Sequence, residues 1–298
     1  NINMNFFLTG ASGYIGGSIA AELIKKGHNV TGLVRSKEKA EQVRTLGITP
    51  VMGNLDDLDV LTKTAQEADA VVNAANAEDR ASAETLVAAL AGSRKTLIQT
   101  SGSSIVADLS EGKGGGTVYD EDSQFTPLPG RASRVAVNQL VIDGKGHNVR
   151  TIVIAPTLIY GRGSGVNPNS IQVPWLVDLA KKNKCARHIG PGENIWSNVH
   201  IDDLVDLYVL ALEKAPAGSF YYAENGSNTI REVCQVINEV EGFSGPPQTM
   251  TIDEASEIWG AGAANYTMGS NSQVKSKRAR AELGWAPNSP SLLDDLRS

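Results

Sequence analysis

Thr9-Gly10-Ala11-Ser12-Gly13-Tyr14-Ile15-Gly16 is the segment that most narrows what this chain can become. It stands between an apolar run, NFFL, and a stretch of helical spacing that ends in glycine, YIGGSIAAELIKKG (14–27). Gly10 permits a tight turn there, Gly13 lets the backbone approach a pyrophosphate, and Gly16 lets the helix pack close to the strand. The amino end of the helix then offers N–H donors to the anion. The segment reads as a dinucleotide cradle, with Gly10, Ser12, Gly13, Tyr14, Ile15 and Gly16 around the phosphates.

The rest of the first half keeps the same rhythm. NVTGLVR (29–35), ITPVMGN (48–54), ADAVVNAAN (68–76), KTLIQTSG (95–102) and NVRTIVIAP (148–156) are short apolar runs separated by segments of helical pattern. That alternation predicts an α/β fold: a doubly wound parallel sheet covered on both faces, with ligands at the carboxyl ends of its strands. After Pro156 the pattern loosens into YGRGSGVNPN, a helix to about Lys182, a helix over 199–215, a strand at SFYYAE, and small helices with proline turns from about Asn228. We therefore expect a dinucleotide-binding domain of residues 1–156, joined by 196–226. A smaller C-terminal substrate lobe is expected from 157–195 and 227–298.

The end of the second strand discriminates between dinucleotides. A carboxylate there would hold the adenosine ribose hydroxyls; here Arg35, Ser36 and Lys37 precede the first acid, Glu38. A guanidinium beside a hydroxyl suits a ribose 2′-phosphate, so NADP(H) is the expected cofactor. Asn54 and Leu55 after the third strand, and Ala74 and Ala75 after the fourth, are placed to flank the adenine and its ribose. Asn54 reads equally well as an ordinary turn residue.

Bulk properties exclude other classes. A net charge of -6, with no basic stripe, argues against a nucleic-acid partner. The densest basic run, KSKRAR (275–280), reads as the solvated face of a helix. Two cysteines outside any CxxC pattern fit a reducing compartment, and the four scattered histidines have no metal-ligand spacing. With neither a leader pattern nor a membrane-length apolar run, the expectation is a soluble cytoplasmic protein.

As a set, TGASGYIGG, GNLDD, NAAN, QTSGS, IYG, VHIDDLVDLYVLAL and RARAELGWAP resemble the extended and atypical short-chain dehydrogenase/reductases, in particular a fungal-looking, NAD-dependent epimerase/dehydratase-like subset. The resemblance covers nearly the whole chain and implies a Rossmann fold. In that family a tyrosine phenol exchanges a proton with the substrate oxygen, and a lysine one helical turn later binds the nicotinamide ribose. The helix VAVNQLVI sets the register, which puts Gly130 at the tyrosine position and Arg134 at the lysine position. None of the seven tyrosines is followed four residues later by lysine. Glycine transfers no proton, and arginine stays protonated at any working pH.

The remaining candidates for catalysis are Ser103, Ser104, Tyr119 and Arg134, with Gly102 at the family's orienting-serine position. Thr100, Arg134 and the backbone at Pro156 are expected beside the nicotinamide. Tyr160 reads as structural, Arg162 and Arg187 as candidate anion ligands, His200 as a core group, and Asp202 as a helix cap. Trp196 and Trp285 read as packing residues. Three activities are compatible with these residues. One is an NADP(H)-dependent oxidoreductase with an altered proton donor, acting on a small carbonyl or activated double bond. The second is a non-catalytic NADP(H) sensor resembling the NmrA-like regulators, and the third a non-redox lyase or isomerase. The expected partner is a small-molecule substrate, with neither nucleic acid nor membrane; a homodimer through helices 79–91 and 131–143 is a further expectation.

Overall fold

The computed structural model describes residues 2–298. Along the chain run β1 (Asn5–Thr9), α1 (Tyr14–Lys25), β2 (Asn29–Val34), α2 (Lys37–Arg44), β3 (Thr49–Met52), α3 (Leu58–Glu67), β4 (Ala70–Asn73), α4 (Arg80–Leu90) and β5 (Thr96–Thr100). Then come β6 (Val118–Tyr119), α5 (Ala132–Asp143), β7 (Arg150–Pro156), β8 (Leu158–Tyr160), α6 (Gln172–Asn183), β9 (Arg187–Ile189) and β10 (Ile195–His200). The remainder is α7 (Ile201–Lys214), β11 (Ser219–Ala223), β12 (Ser227–Thr229), α8 (Ile230–Glu241), β13 (Gln248–Met250), α9 (Ile252–Trp259), α10 (Ala261–Ala263), β14 (Gln273–Val274), α11 (Lys277–Leu283) and α12 (Leu292–Arg297). Among the described residues no helix is long and apolar enough to cross a membrane.

Seven strands form one parallel sheet in the order β3-β2-β1-β4-β5-β7-β11. Side chains alternate across a strand, and the apolar residues follow that alternation. Phe6, Leu8, Val72, Ile98 and Ile154 join the core under α1 and α7, while Phe7, Val71, Leu97 and Val153 join the opposite core under α3, α4 and α5. Both faces are thereby covered, which is why the strand segments read as continuous apolar runs.

The chain leaves β3 on one edge and returns as β4 on the other side of β1. A crevice opens at that reversal, outside the carboxyl ends of β1 and β4. A buried polar chain fastens those ends: Thr9 Oγ1 donates to Asn73 Oδ1 at 2.5 Å, and Asn73 Nδ2 donates to Gln99 Oε1 at 2.9 Å. The crevice is therefore floored by rigid strand termini.

A second core, including Leu158, Leu176, Ile189, Val233, Ile237 and Met268, lies beyond the sheet. Its helices carry strong start signals. Thr229 caps α8, and Thr251 with Glu254 closes a capping box on α9.

Two sequence expectations change here. Val199 and His200 end β10 rather than opening a helix, and His200, not Asp202, caps α7 by accepting from the Asp202 N–H at 3.0 Å. The basic run is also more than a solvated face. Lys277 pairs with Asp120 at 2.8 Å and Arg278 with Asp122 at 2.6 Å, joining α11 to the loop after β6.

Candidate functional site

Two of the three cradle glycines are explained by contact. Gly10 has a φ of +68°, and a Cβ there would stand 2.4 Å from the Ala74 carbonyl oxygen; a Cβ on Gly16 would stand 2.2 Å from that of Gly10. No side chain fits at either position. The turn closes by a Gly13 N–H to Gly10 carbonyl bond of 2.9 Å, and α1 starts at Tyr14, so that Gly13, Tyr14 and Ile15 at its start line the cleft. Tyr14 has a further task. Its hydroxyl donates to the Gly161 carbonyl at 2.6 Å, and its ring packs on Gly163, so it ties the cradle to the loop after β8. Burial, with Asp202 and Asp295 nearby, drives the Tyr14 phenol far above its ordinary pKa.

Other expected cofactor contacts divide. Arg35 is exposed at the end of β2, while the Ser36 hydroxyl caps α2 by accepting from the Lys39 N–H at 3.1 Å. Asn54 Oδ1 accepts from the Asp56 N–H at 2.8 Å, the bond of a turn residue, and Leu55 packs on the sheet core. Thr100 is a correction: its hydroxyl shares a buried 2.5 Å hydrogen bond with Tyr208, which places it beneath the floor rather than in the crevice.

From the cradle the crevice continues into a cleft of about 440 Å³. Gly13, Ile15, Ala74, Pro156 and Thr157 line it on the sheet side, with Ser101–Ser104 from the turn after β5. The lobe contributes Asn167, Asn169, Gln172, Trp175, Trp196 and Thr267, and α5 sends in Arg134 with Arg131 just before it. A wider groove of about 730 Å³ runs between α4 and α5, away from the cradle, along the helices for which pairing with a second copy is expected.

The catalytic candidates separate on the same geometry. Ser103 is 1% exposed and accepts from the Ser272 hydroxyl at 3.0 Å. Ser104 accepts from Arg134 Nη1 at 3.3 Å, and Arg134 Nε donates to Glu78 at 2.9 Å. Tyr119 is not at the cleft. It lies on β6, which pairs with β14, and its ring meets Phe125 at 5.7 Å. Neither Arg162 nor Arg187 is among the cleft-lining residues. Tyr160 is buried and donates to the Pro290 carbonyl at 2.6 Å. Trp285 packs in the core; Trp196 packs as well, yet also reaches the cleft wall.

Gly130 explains itself through Tyr266. A Cβ at position 130 would stand 2.1 Å from the Tyr266 hydroxyl, so the space in front of Gly130 is already filled by a phenol from the lobe. Arg131 covers that ring, its guanidinium carbon 4.4 Å from the centroid. Tyr266 has no lysine four residues on, because its cationic neighbour, Arg131, is supplied by the fold. Ser101 also gains weight: it lines the cleft, is 8% exposed, and its hydroxyl has no hydrogen-bond partner in the protein. Trp175, stacked on Trp259 with planes 10° apart, had no signal beyond its place on an amphipathic helix.

Residues 6–222 match the model of the NAD dependent epimerase/dehydratase family. The chain belongs to that family. A nicotinamide dinucleotide is accordingly its cofactor class, and the cradle, in which a Cβ on Gly10 or Gly16 would strike backbone, fits such a group. An uncharacterized protein of Schizosaccharomyces pombe is 33% identical, with 99% of both chains covered. A 4-hydroxy-2-methyl-3-oxo-4-farnesyl-3,4-dihydroquinoline-1-oxide ketoreductase of Stigmatella aurantiaca is 27% identical over 95% of this chain and 92% of its own. In fold, the chain is similar to a dTDP-glucose 4,6-dehydratase of Bacillus anthracis solved with NAD: TM-score 0.79, 18% identity, 99% and 94% covered.

Proposed function

We propose that this protein is an NADP(H)-dependent reductase of a small organic carbonyl compound or activated double bond, working without a tyrosine at the start of α5. The observation that carries the reading is the cleft itself. It joins the glycine cradle to a lobe wall of amide, hydroxyl and aromatic side chains, and a cleft of about 440 Å³ is the size of a small-molecule site. Arg35, exposed beside Ser36 with no carboxylate before Glu38, supports the phosphorylated cofactor. The ketoreductase relative supports reduction of a carbonyl.

A reduced nicotinamide, when bound, supplies the hydride. The chain's own residues hold the substrate and meet the charge that develops on it. Pro156 and Thr157 wall the cleft at the carboxyl end of β7, next to Ser101. Ser101 is the group we assign to donate a hydrogen bond to the substrate oxygen as it becomes negative, since its hydroxyl has no partner in the protein whereas Ser103 and Ser104 already hold Ser272 and Arg134. Water would supply the proton that completes the alcohol. Leaving a buried hydroxyl unpaired costs about 1–3 kcal/mol, and a ligand oxygen would recover part of it.

The test is NADPH consumption followed at 340 nm over a panel of aldehydes, ketones, quinones and enones, with NADH as the comparison. Ser101→Ala is expected to lower kcat about tenfold or more while leaving NADPH affinity unchanged. Tight NADPH binding without turnover of any member would instead favour a sensor.

A further inference from the structure

We propose that this cleft is built for an organic anion, with a carboxylate held by Arg131 and Arg134 on a flat apolar body lying against the lobe wall. The inference rests on the reductase reading of the same cleft and names the class of substrate. Both arginines line the cleft, and none of its lining residues is an aspartate or glutamate. Glu78 touches the pair from outside, accepting from Arg134 Nε at 2.9 Å and from Arg131 Nη1 at 3.3 Å. One carboxylate against two guanidiniums leaves one positive charge unmatched.

Arg131 is the more telling of the two. It is 9% exposed, and its Nε has no hydrogen-bond partner. Burial, then the charge of Arg134, press its pKa below the ordinary arginine value, yet an arginine keeps its proton. A buried, under-paired cation is costly unless something satisfies it. The Tyr266 ring beneath it fixes the plane of the guanidinium without neutralising it. A carboxylate meets both needs, because it matches the guanidinium fork and carries the missing charge. A phosphate monoester brings close to two charges, more than the single one left unmatched.

The opposite wall describes the rest of the molecule. Ile171 is 56% exposed at the cleft, and Trp175 is braced by Trp259 at a ring separation of 6.3 Å. A rigid indole beside an exposed aliphatic side chain suits a planar, apolar body. Amides at Asn167, Asn169 and Gln172 leave the wall polar but uncharged.

The experiment uses the full chain with NADP+ present and reads tryptophan fluorescence during titration with benzoate and with neutral benzamide. Benzoate is expected to bind at least about tenfold more tightly, the worth of one charged hydrogen bond. Arg131→Gln should erase that preference, and Glu78→Gln, at a half-exposed position that removes the competing carboxylate, should raise benzoate affinity. Equal binding of benzamide in the unaltered protein overturns the proposal. So does displacement of benzoate by lower concentrations of inorganic phosphate, or an Arg131→Gln variant that loses NADP+ affinity while keeping the benzoate preference. NADPH oxidation with phenylglyoxylate and with its methyl ester separates the two layers. A benzoate preference with turnover of neither compound, nor of any member of the carbonyl and enone panel, supports the anion site and sinks the reductase reading. Turnover of the ester as good as that of the acid sinks the anion inference and leaves the reductase standing.

Discussion

The two walls of the cleft are made by different rules. The sheet wall is mainly backbone: glycines at a turn, the carboxyl ends of parallel strands, and the start of a helix, each a local product of strand and turn geometry. The lobe wall is side chains drawn from distant segments: Trp175 from α6, Trp196 from β10, and Thr267 from the turn that follows α10. Backbone chemistry tolerates almost no substitution, whereas a side-chain wall is re-equipped one residue at a time. Cofactor binding should therefore fail on single substitutions in the sheet wall, while substitutions in the lobe wall should change what the cleft accepts.

The comparison breaks first if the sheet wall tolerates a side chain. Gly16→Val would push methyl groups onto the Gly10 carbonyl, already only 2.2 Å from a Cβ, and must displace either the turn or α1. We expect NADPH affinity to fall by a hundredfold or more, on the order of 3 kcal/mol, in fluorescence titration. A variant binding within a few-fold of the unaltered protein would mean that the glycine pattern is incidental.

Next in size is a tyrosine placed at position 130, where the sequence resemblance expects one. Gly130→Tyr puts a ring into space held by Tyr266, and overpacking of this kind costs about 1–3 kcal/mol. The expected result is a lower urea midpoint with no gain in turnover. Adding Tyr266→Ala should recover much of the loss, since the two positions are in contact and their effects do not add. Turnover rising in Gly130→Tyr alone would show that the phenol was simply missing rather than displaced.

The same contrast explains what was legible in the sequence. Alternating apolar residues placed the strands, and the glycine spacing placed the cradle, because both are local consequences of backbone geometry. Arg134 was found from helix register, but Arg131 was not, since its burial depends on Tyr266, which arrives from the lobe. The place of Tyr119 is out of reach of local reading for the same reason. It is held by β14 and by Phe125, neither of which its own segment announces as a partner. Thr100 sat at the expected strand end, but its hydroxyl turned toward Tyr208 on α7, a partner that no local pattern announces.

A sharper, smaller effect concerns Arg35. It stands just past the end of β2, outside the residues that line the cleft, and on the proposed NADP(H) reading it would act through its side chain, so it should set preference rather than binding as such. Arg35→Ala is expected to weaken NADPH by about tenfold and NADH hardly at all, about 1.4 kcal/mol of discrimination. Equal losses for the two would assign Arg35 to something other than the 2′-phosphate.

The smallest expected effect lies where the lobe is fastened to the sheet. Asp108, in the loop after β5, accepts from the Asn271 N–H at 3.0 Å, from Asn271 Nδ2 at 2.9 Å and from the Ser270 hydroxyl at 3.2 Å. Partial burial pushes its carboxyl up, but these bonds and those from Ser110 outweigh it and hold the pKa below the ordinary aspartate value. A carboxyl lowered on folding stabilises the folded form above its unfolded pKa, and that contribution fades as pH falls through the lowered value. Acid should therefore loosen the strip around Ser270–Ser272 before it opens the central strands β4 and β5. Hydrogen exchange at neutral pH and near pH 3 measures this, the lower value lying under the ordinary aspartate pKa of about 3.9. Asp108→Asn should loosen the strip already at neutral pH, because its amide nitrogen would face Asn271 Nδ2 donor to donor. It should also flatten the acid dependence, and an unchanged acid response in that variant would place the fastening elsewhere.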